Sequence, residues 1–340
     1  MQLILGVHQK QHKAQKAYAE GKWKTRRVTE YIFLEFSKHP ALLTLFFLVF
    51  LLIYTIILVG NIMIIMIITG DSGLHTPMYF LLCNMSLIDL FYTSTTIPKM
   101  LVNFLHETKT ISCAGCMAQI FFLITSSGSE RVFFTTMAYD RYIAICPPLL
   151  YTVTMNRRVC LQLAAGSWAC GFLNSPFHSL LMSALSFCRL DGISHFMCDV
   201  RPLLELSCTG TALNKAVLHA AIVFIGIRPC FFTVVSYICI IQAILQIYST
   251  EGRHKAFSTC TSHLTILVMY YSMALFNYNQ SRLGYSLGID ILVSALYCIL
   301  MPWLNPITYS RWNQEVKGSS GENSQWKTCF STNMRHWQGL

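Results

Sequence analysis

The sequence predicts an all-α membrane protein, a seven-transmembrane helix bundle. Three observations carry the prediction: 54% of the 340 residues are hydrophobic, only 12% are charged, and apolar runs recur from residue 42 to residue 310. Soluble domains carry roughly a quarter charged residues, and a spanning helix needs about 20 mostly apolar residues at 1.5 Å rise each. One continuous bundle fits these runs better than the two or three soluble domains that roughly 150 residues per domain would allow.

The chain opens on MQLILGV, an apolar run too short for a signal peptide, and a basic polar stretch from Gln9 to Arg27 stands where a cleavage site would be. Residues 1–41 are therefore read as an N-terminal segment outside the membrane, with 1–27 expected to be disordered or a misassigned start. The first span serves as its own insertion signal. Spans follow near 42–69, 78–98, 113–146, 159–182, 214–248, 256–278 and 289–310, and 311–340 form a tail. An odd number of crossings puts the termini on opposite sides.

Lysine and arginine in the short loops do not orient the bundle. One set of loops holds Arg141, Arg157, Arg158, Arg253 and Lys255, and the alternate set holds Lys99, Lys109, Arg189, Arg201 and Arg282, five against five. Cysteine does orient it. Cys188, Cys198 and Cys208 lie in the loop from Met182 to Asn214, and Cys113 and Cys116 open the third span on the same side. Thiols clustered on one face mark the oxidising side, which makes the N-terminus extracellular and the C-terminus cytoplasmic. The formal net charge of +10 comes from residues between the spans and in the tails. It reads as attraction to lipid headgroups, not as a nucleic-acid stripe.

Polar side chains at membrane depth are costly and need a partner or a water-filled cavity. Asn61, Asp89, Glu130 and Asn305 fall near the middle of the first, second, third and seventh spans. They are expected to converge on one buried polar cluster, which would either hold a sodium ion or a proton or join helices through hydrogen bonds. Arg131 follows Glu130 directly, and neighbours one position apart on a helix point about 100° away from each other, so the pair need not meet. At the far end of the third span, Asp140 and Arg141 stand side by side between Tyr139 and Tyr142. They read either as an interfacial anchor or as a switch, a charge pair closed in one packing and released in another. Pro302 and Pro306 remove backbone donors and bend the seventh span.

Several stretches taken together resemble the odorant receptors, rhodopsin-like G-protein-coupled receptors. The resemblance runs from about Val28 to Gly318 and rests on Gly60-Asn61, on Leu74 to Phe80 followed by Leu87-Ile88-Asp89, and on Met137 to Cys146, MAYDRYIAIC. Ser236-Tyr237, Lys255 to Cys260 with Ser262-His263-Leu264, and Pro302 with Leu304-Asn305-Pro306 and Tyr309 complete it. The resemblance implies that a small volatile odorant binds in the outer half of the bundle. It also implies that the receptor activates a stimulatory olfactory G protein and raises cyclic AMP, from the plasma membrane of olfactory cilia and with the help of trafficking proteins. Asp140, Arg141, Tyr142, Tyr237, Asn305, Pro306 and Tyr309 would form the coupling switch. Cys116 would bridge to Cys198 and Cys188 to Cys208.

The odorant pocket implied by the same resemblance lies between the third, fifth, sixth and seventh helices. On this chain the third helix would contribute Leu123, Ile124, Ser127 and Gly128, the fifth Ala221, Ile222 and Ile225, and the sixth Tyr271, Leu275 and Tyr278, with His178 on the fourth. Ser127, Gly128 and Ala221 would leave space, and Tyr271, Tyr278 and His178 would offer hydrogen bonds. Asn279-Gln280-Ser281, in the last outer loop, is the candidate glycosylation site. No metal or cofactor is expected. The chain departs from the family's pattern at Arg131, at Pro147-Pro148, at Ser310 to Asn313 and in both tails. Those departures leave a rhodopsin-like receptor for a non-odorant ligand, or a nonfunctional odorant receptor, as alternatives. An amine receptor would want a carboxylate on the outer third helix, a transporter internal repeats, and an enzyme an HExxH or GxSxG constellation. None of these occurs in the sequence.

Overall fold

In the computed structural model the described residues are 30–32, 40–106, 109–187, 197–283 and 302. The first long helix, α1 (Pro40–Gly70), starts at a proline, whose missing N–H costs nothing in a first turn. A turn at Ser72–Leu74, capped by the Asp71 carboxylate accepting from Gly73 N at 2.9 Å, reverses the chain. Then α2 (Pro77–Leu105) begins, again at a proline. The central helix α3 (Cys113–Ile145) is capped by Ser112, whose hydroxyl accepts from Gly115 N at 3.1 Å. A short helix α4 (Tyr151–Thr154) leads to α5 (Arg157–Ser183), where the Asn156 side chain caps Val159 N at 3.0 Å.

After α5 the connecting segment carries the short helix α6 (Val200–Leu206). The fifth long element is continuous over Ala212–Leu245 but not uniform: α7 (Ala212–Ala221) passes through a π-helical turn at Ile222–Ile227 into α8 (Arg228–Leu245). Pro229 explains the wide turn, because it has no N–H to return to the Ile225 carbonyl. The sixth long element is α9 (Thr250–Leu283). It runs through Asn279, so the candidate sequon sits on a helical turn and not in a loop. Nothing before Gly284 breaks the helical pattern. The seventh span lies outside the described residues except for Pro302, which is helical and buried.

The distribution of side chains is inverted relative to a water-soluble bundle. Leu52, Leu173, Phe177, Leu180 and Phe231 are more than 60% exposed, whereas Asn61, Asp89, Ser129 and Asp140 are buried at 2% exposure or less. Such a surface faces an apolar solvent. Among the described residues, Ala41–Gly70, Pro77–Leu105 and Ala212–Leu245 are long and apolar enough to cross a membrane by composition alone. The third helix falls short because its centre is rich in hydroxyls and charge.

The third and fourth long helices, α3 and α5, meet backbone to backbone. A Cβ on Gly171 would overlap the Thr125 carbonyl and the Ser129 hydroxyl, and one on Gly128 would stand 3.3 Å from Gly171 Cα. Small residues permit this approach, and the Thr125 and Ser175 hydroxyls then bond across it at 2.5 Å. Trp168 Nε1 donates to Asn84 Oδ1 at 3.1 Å and ties α5 to α2.

A feature absent from the sequence reading is a small antiparallel ribbon. Residues β1 (Glu30–Ile32) pair with β2 (Thr110–Ser112), Tyr31 opposite Ile111. Tyr31 is buried edge-on against Phe187 at 5.5 Å, and burial, reinforced by Cys113, pushes its phenol above the ordinary range. The segment before α1 is thus anchored where it pairs.

Candidate functional site

At the Asp140 end of the bundle, Arg141 Nη2 donates to Asp140 Oδ2 at 2.8 Å, and the Tyr151 hydroxyl donates to Asp140 Oδ1 at 2.9 Å. The carboxylate is fully buried and both its oxygens are occupied. Burial and the adjacent carboxylate push the Tyr151 phenol above its ordinary range, so it remains a donor. Tyr142, the next residue of the expected switch, packs half-buried against the core.

The same level of the bundle is closed by the fifth and sixth long helices. Tyr237 of α8 and His263 of α9 share a hydrogen bond of 2.5 Å between the phenol and Nδ1, both side chains buried. Arg141 lies within electrostatic range of His263 and of Cys260, and Cys146 Sγ donates to the Cys239 carbonyl at 3.7 Å. One guanidinium is thus enclosed by its own carboxylate, a tyrosine on the following turn and the inner face of α9. Sequence reading singled out Asp140, Arg141 and Tyr237. It missed Tyr151 and the pairing of His263, because a turn at Pro148–Leu150 and the packing of two helices distant in sequence create those contacts.

Deeper in the bundle, Asn61 Nδ2 donates to the Ile57 carbonyl at 3.0 Å and to the Pro302 carbonyl at 3.2 Å. The second bond ties the first helix to Pro302 of the expected seventh span. Asp89 and Glu130 are buried at 2% and 5% exposure and lie within electrostatic range of each other. Arg131 is half-buried, within electrostatic range of Glu130 and of Tyr271 on α9. Asn305, Pro306 and Tyr309 lie outside the described residues.

At the opposite end a disulfide joins Cys116, in the first turn of α3, to Cys198. Gln119, one turn further along α3, accepts from Cys198 N at 2.9 Å and donates to the Thr95 carbonyl at 3.0 Å, locking the loop to α2 and α3 together. Cys208 is also disulfide-bonded. Its expected partner, Cys188, lies outside the described residues.

The expected pocket residues do not share one environment. Leu123 is buried in a cluster with Ile57, Tyr92 and Met197, toward the first and second helices, while Ile124 packs against a separate cluster that contains Cys116 and Cys198. Gly128 does not leave a vacant space: Gly171 and Ile225 fill the room in front of it, because this is where the third helix meets the fourth and fifth. Ser127 turns its hydroxyl to its own helix, toward the Ile124 carbonyl at 3.5 Å. His178 is buried, Ala221, Ile222, Ile225 and Tyr271 are half-buried, and Leu275 is 62% exposed and points out of the bundle. The side chains of Tyr278 and Asn279 lie outside the described set. Among the described residues no cluster of His, Cys, Asp or Glu could hold a metal.

Comparison with known proteins completes the picture. A family model described as olfactory receptor matches residues 50–320. Olfactory receptor 5AP2 of Mus musculus is 45% identical over 290 residues, 85% of this chain and 92% of that protein. Olfactory receptor 5I1 of Homo sapiens is 44% identical over 293 residues, 86% and 93% of the two chains. Olfactory receptor-like protein OLF1 of Canis lupus familiaris is 44% identical over 293 residues, 86% and 94%.

Proposed function

We propose a function from one premise: this chain belongs to the olfactory receptor family, seven-transmembrane G-protein-coupled receptors of the plasma membrane and not enzymes. On that premise the chain is an odorant receptor. It binds a small volatile molecule in the outer half of the bundle and activates a stimulatory olfactory G protein that raises cyclic AMP. Residues 1–41 face the outside, 42–310 form the receptor bundle, and 311–340 form a cytoplasmic tail. The disulfide end is the outer one in this reading, which the Cys116–Cys198 bridge supports.

The enclosed Asp140–Arg141 pair carries the reading. Its geometry is that of a resting switch: a guanidinium held by a buried carboxylate, capped by Tyr151, with α9 drawn over it by the Tyr237–His263 bond. A ligand acts on such an element only by binding one packing better than the other. Odorant contacts on α3, α7 and α9 favour a packing in which α9 swings away, Arg141 leaves Asp140, and the G protein takes the exposed site. Asn61, Asp89 and Glu130, with Asn305, form the polar seam along which the helices shift. Trafficking proteins and lipid complete the partners.

The test is cyclic AMP release from cells expressing the full chain with trafficking helpers, challenged with a broad panel of volatiles, while an N-terminal tag is stained on intact cells. The expected result is surface staining with a dose-dependent response to a subset of volatiles. Staining with no response to any volatile, and a response to a nonvolatile amine or peptide instead, would overturn the odorant assignment.

A further inference from the structure

The fifth span presents a cation where lipid should be. Arg228 opens α8 and is exposed. In the continuous helix Ala212–Leu245 it stands about 24 Å from one end and about 26 Å from the other at 1.5 Å per residue. The hydrocarbon layer is about 30 Å thick, so a helix centred on it holds Arg228 near the midplane, about 15 Å from either headgroup layer. That is farther than a snorkelling side chain spans. Phe224, Ile227, Phe231 and Phe232 around it are each more than half exposed, so the residue does not line a polar cavity.

The guanidinium lies 5.2 Å from the centre of the Phe224 ring. That contact holds it on the outer face of its own helix but supplies no acceptor for its five N–H donors. No hydrogen bond or ion pair satisfies it among the described residues. A charge so placed is expensive in lipid and calls for a carboxylate at the same depth. Among the described residues the in-span carboxylates of this chain, Asp89, Glu130 and Asp140, are all buried, so a second copy offers no exposed acid on these helices.

We propose that the outer face of the fifth span around Arg228 docks a transmembrane helix of a different protein, one that carries an aspartate or glutamate near the bilayer midplane. The surrounding aromatic and branched side chains pack that helix, and the ion pair fixes its depth and register. Complementary charge also selects the partner, because a helix without the acid leaves the guanidinium uncompensated.

The experiment measures resonance energy transfer between the tagged full chain and a single-span polyleucine helix bearing Glu, Gln or Leu at its centre. It is read in total membranes normalised to expression, so variants retained in the endoplasmic reticulum are still scored. The Glu helix is expected to associate roughly tenfold better than the Leu helix, the scale of interhelical polar contacts. Arg228→Leu should reduce it to the Leu-helix level, and Arg228→Glu should recover association with a helix carrying a central Lys. Equal transfer for the Glu and Leu helices, or a Glu-helix signal that survives in Arg228→Leu, would overturn the proposal. So would strong transfer between two copies of the chain that Arg228→Leu abolishes, since the face would then be homomeric.

Discussion

In the proposed switch, a single hydroxyl, that of Tyr151, helps hold the closed form. It donates to the Asp140 oxygen that Arg141 leaves unused, so the carboxylate is held at both oxygens. Hydrogen bonds to charged groups contribute about 1.5–3 kcal/mol, which is roughly tenfold or more in a two-state population. Tyr151→Phe is therefore expected to raise ligand-independent cyclic AMP about tenfold at unchanged surface level. Basal activity equal to that of the parent would show that Tyr151 does not hold the closed form. At this scale the sequence was legible where polar or charged groups sat within the spans: Asp140, Arg141, Asn61, Asp89 and Glu130 stood out because lipid rejects them. Tyr151 and His263 did not, because a tyrosine in a connecting turn and a histidine opening a helix are ordinary until folding brings partners to them. Gly128 misled for a related reason, since sequence cannot distinguish a glycine that leaves a cavity from one that admits a neighbouring backbone.

Among the described residues, apolar length alone marks Ala41–Gly70, Pro77–Leu105 and Ala212–Leu245 as helices able to cross a membrane, since hydrocarbon thickness sets how long a spanning run must be. Other details were not legible from apolar length: α9 extends to Leu283, beyond the apolar run, because no proline or glycine interrupts the stretch from Asn277 to Leu283. The π turn at Ile222–Ile227 follows from Pro229, a residue that the sequence displays but whose effect on the helix shows only in the fold. Helix α5 offers the sharpest test of packing. Gly171→Ala places a methyl group into a backbone carbonyl that cannot yield, and overpacking of this kind costs about 1–3 kcal/mol or more. Gly166→Ala meets nothing within 4 Å and gains helix propensity of roughly 0.8–1.0 kcal/mol. The temperature at which the detergent-solubilised receptor inactivates should therefore fall in the first variant and hold or rise in the second. A Gly171→Ala protein as stable as the parent would refute the close contact of α3 and α5.

Over the whole molecule, a disulfide-bonded end and a charge-paired end stand at opposite ends of the central helix, and in the proposed mechanism the first stays fixed while the second opens. Cys116→Ser or Cys198→Ser removes a crosslink worth about 2–5 kcal/mol and releases the loop that Gln119 clamps. Either variant should fail to reach the cell surface, and staining of intact cells equal to the parent would argue against a structural role for the bridge. The fold class was open to a reader of the sequence because composition and span count determine it. The ribbon of Tyr31 with Ile111 was not, since three residues of weak pattern gain their meaning only from the loop they cover. The central claim is that Arg141 is the coupling element that odorant binding releases, and its most direct test is Arg141→Ala assayed with an identified activating volatile. The account predicts that ligand-evoked cyclic AMP disappears while surface staining stays within a few fold of the parent; normal signalling from that variant would contradict it.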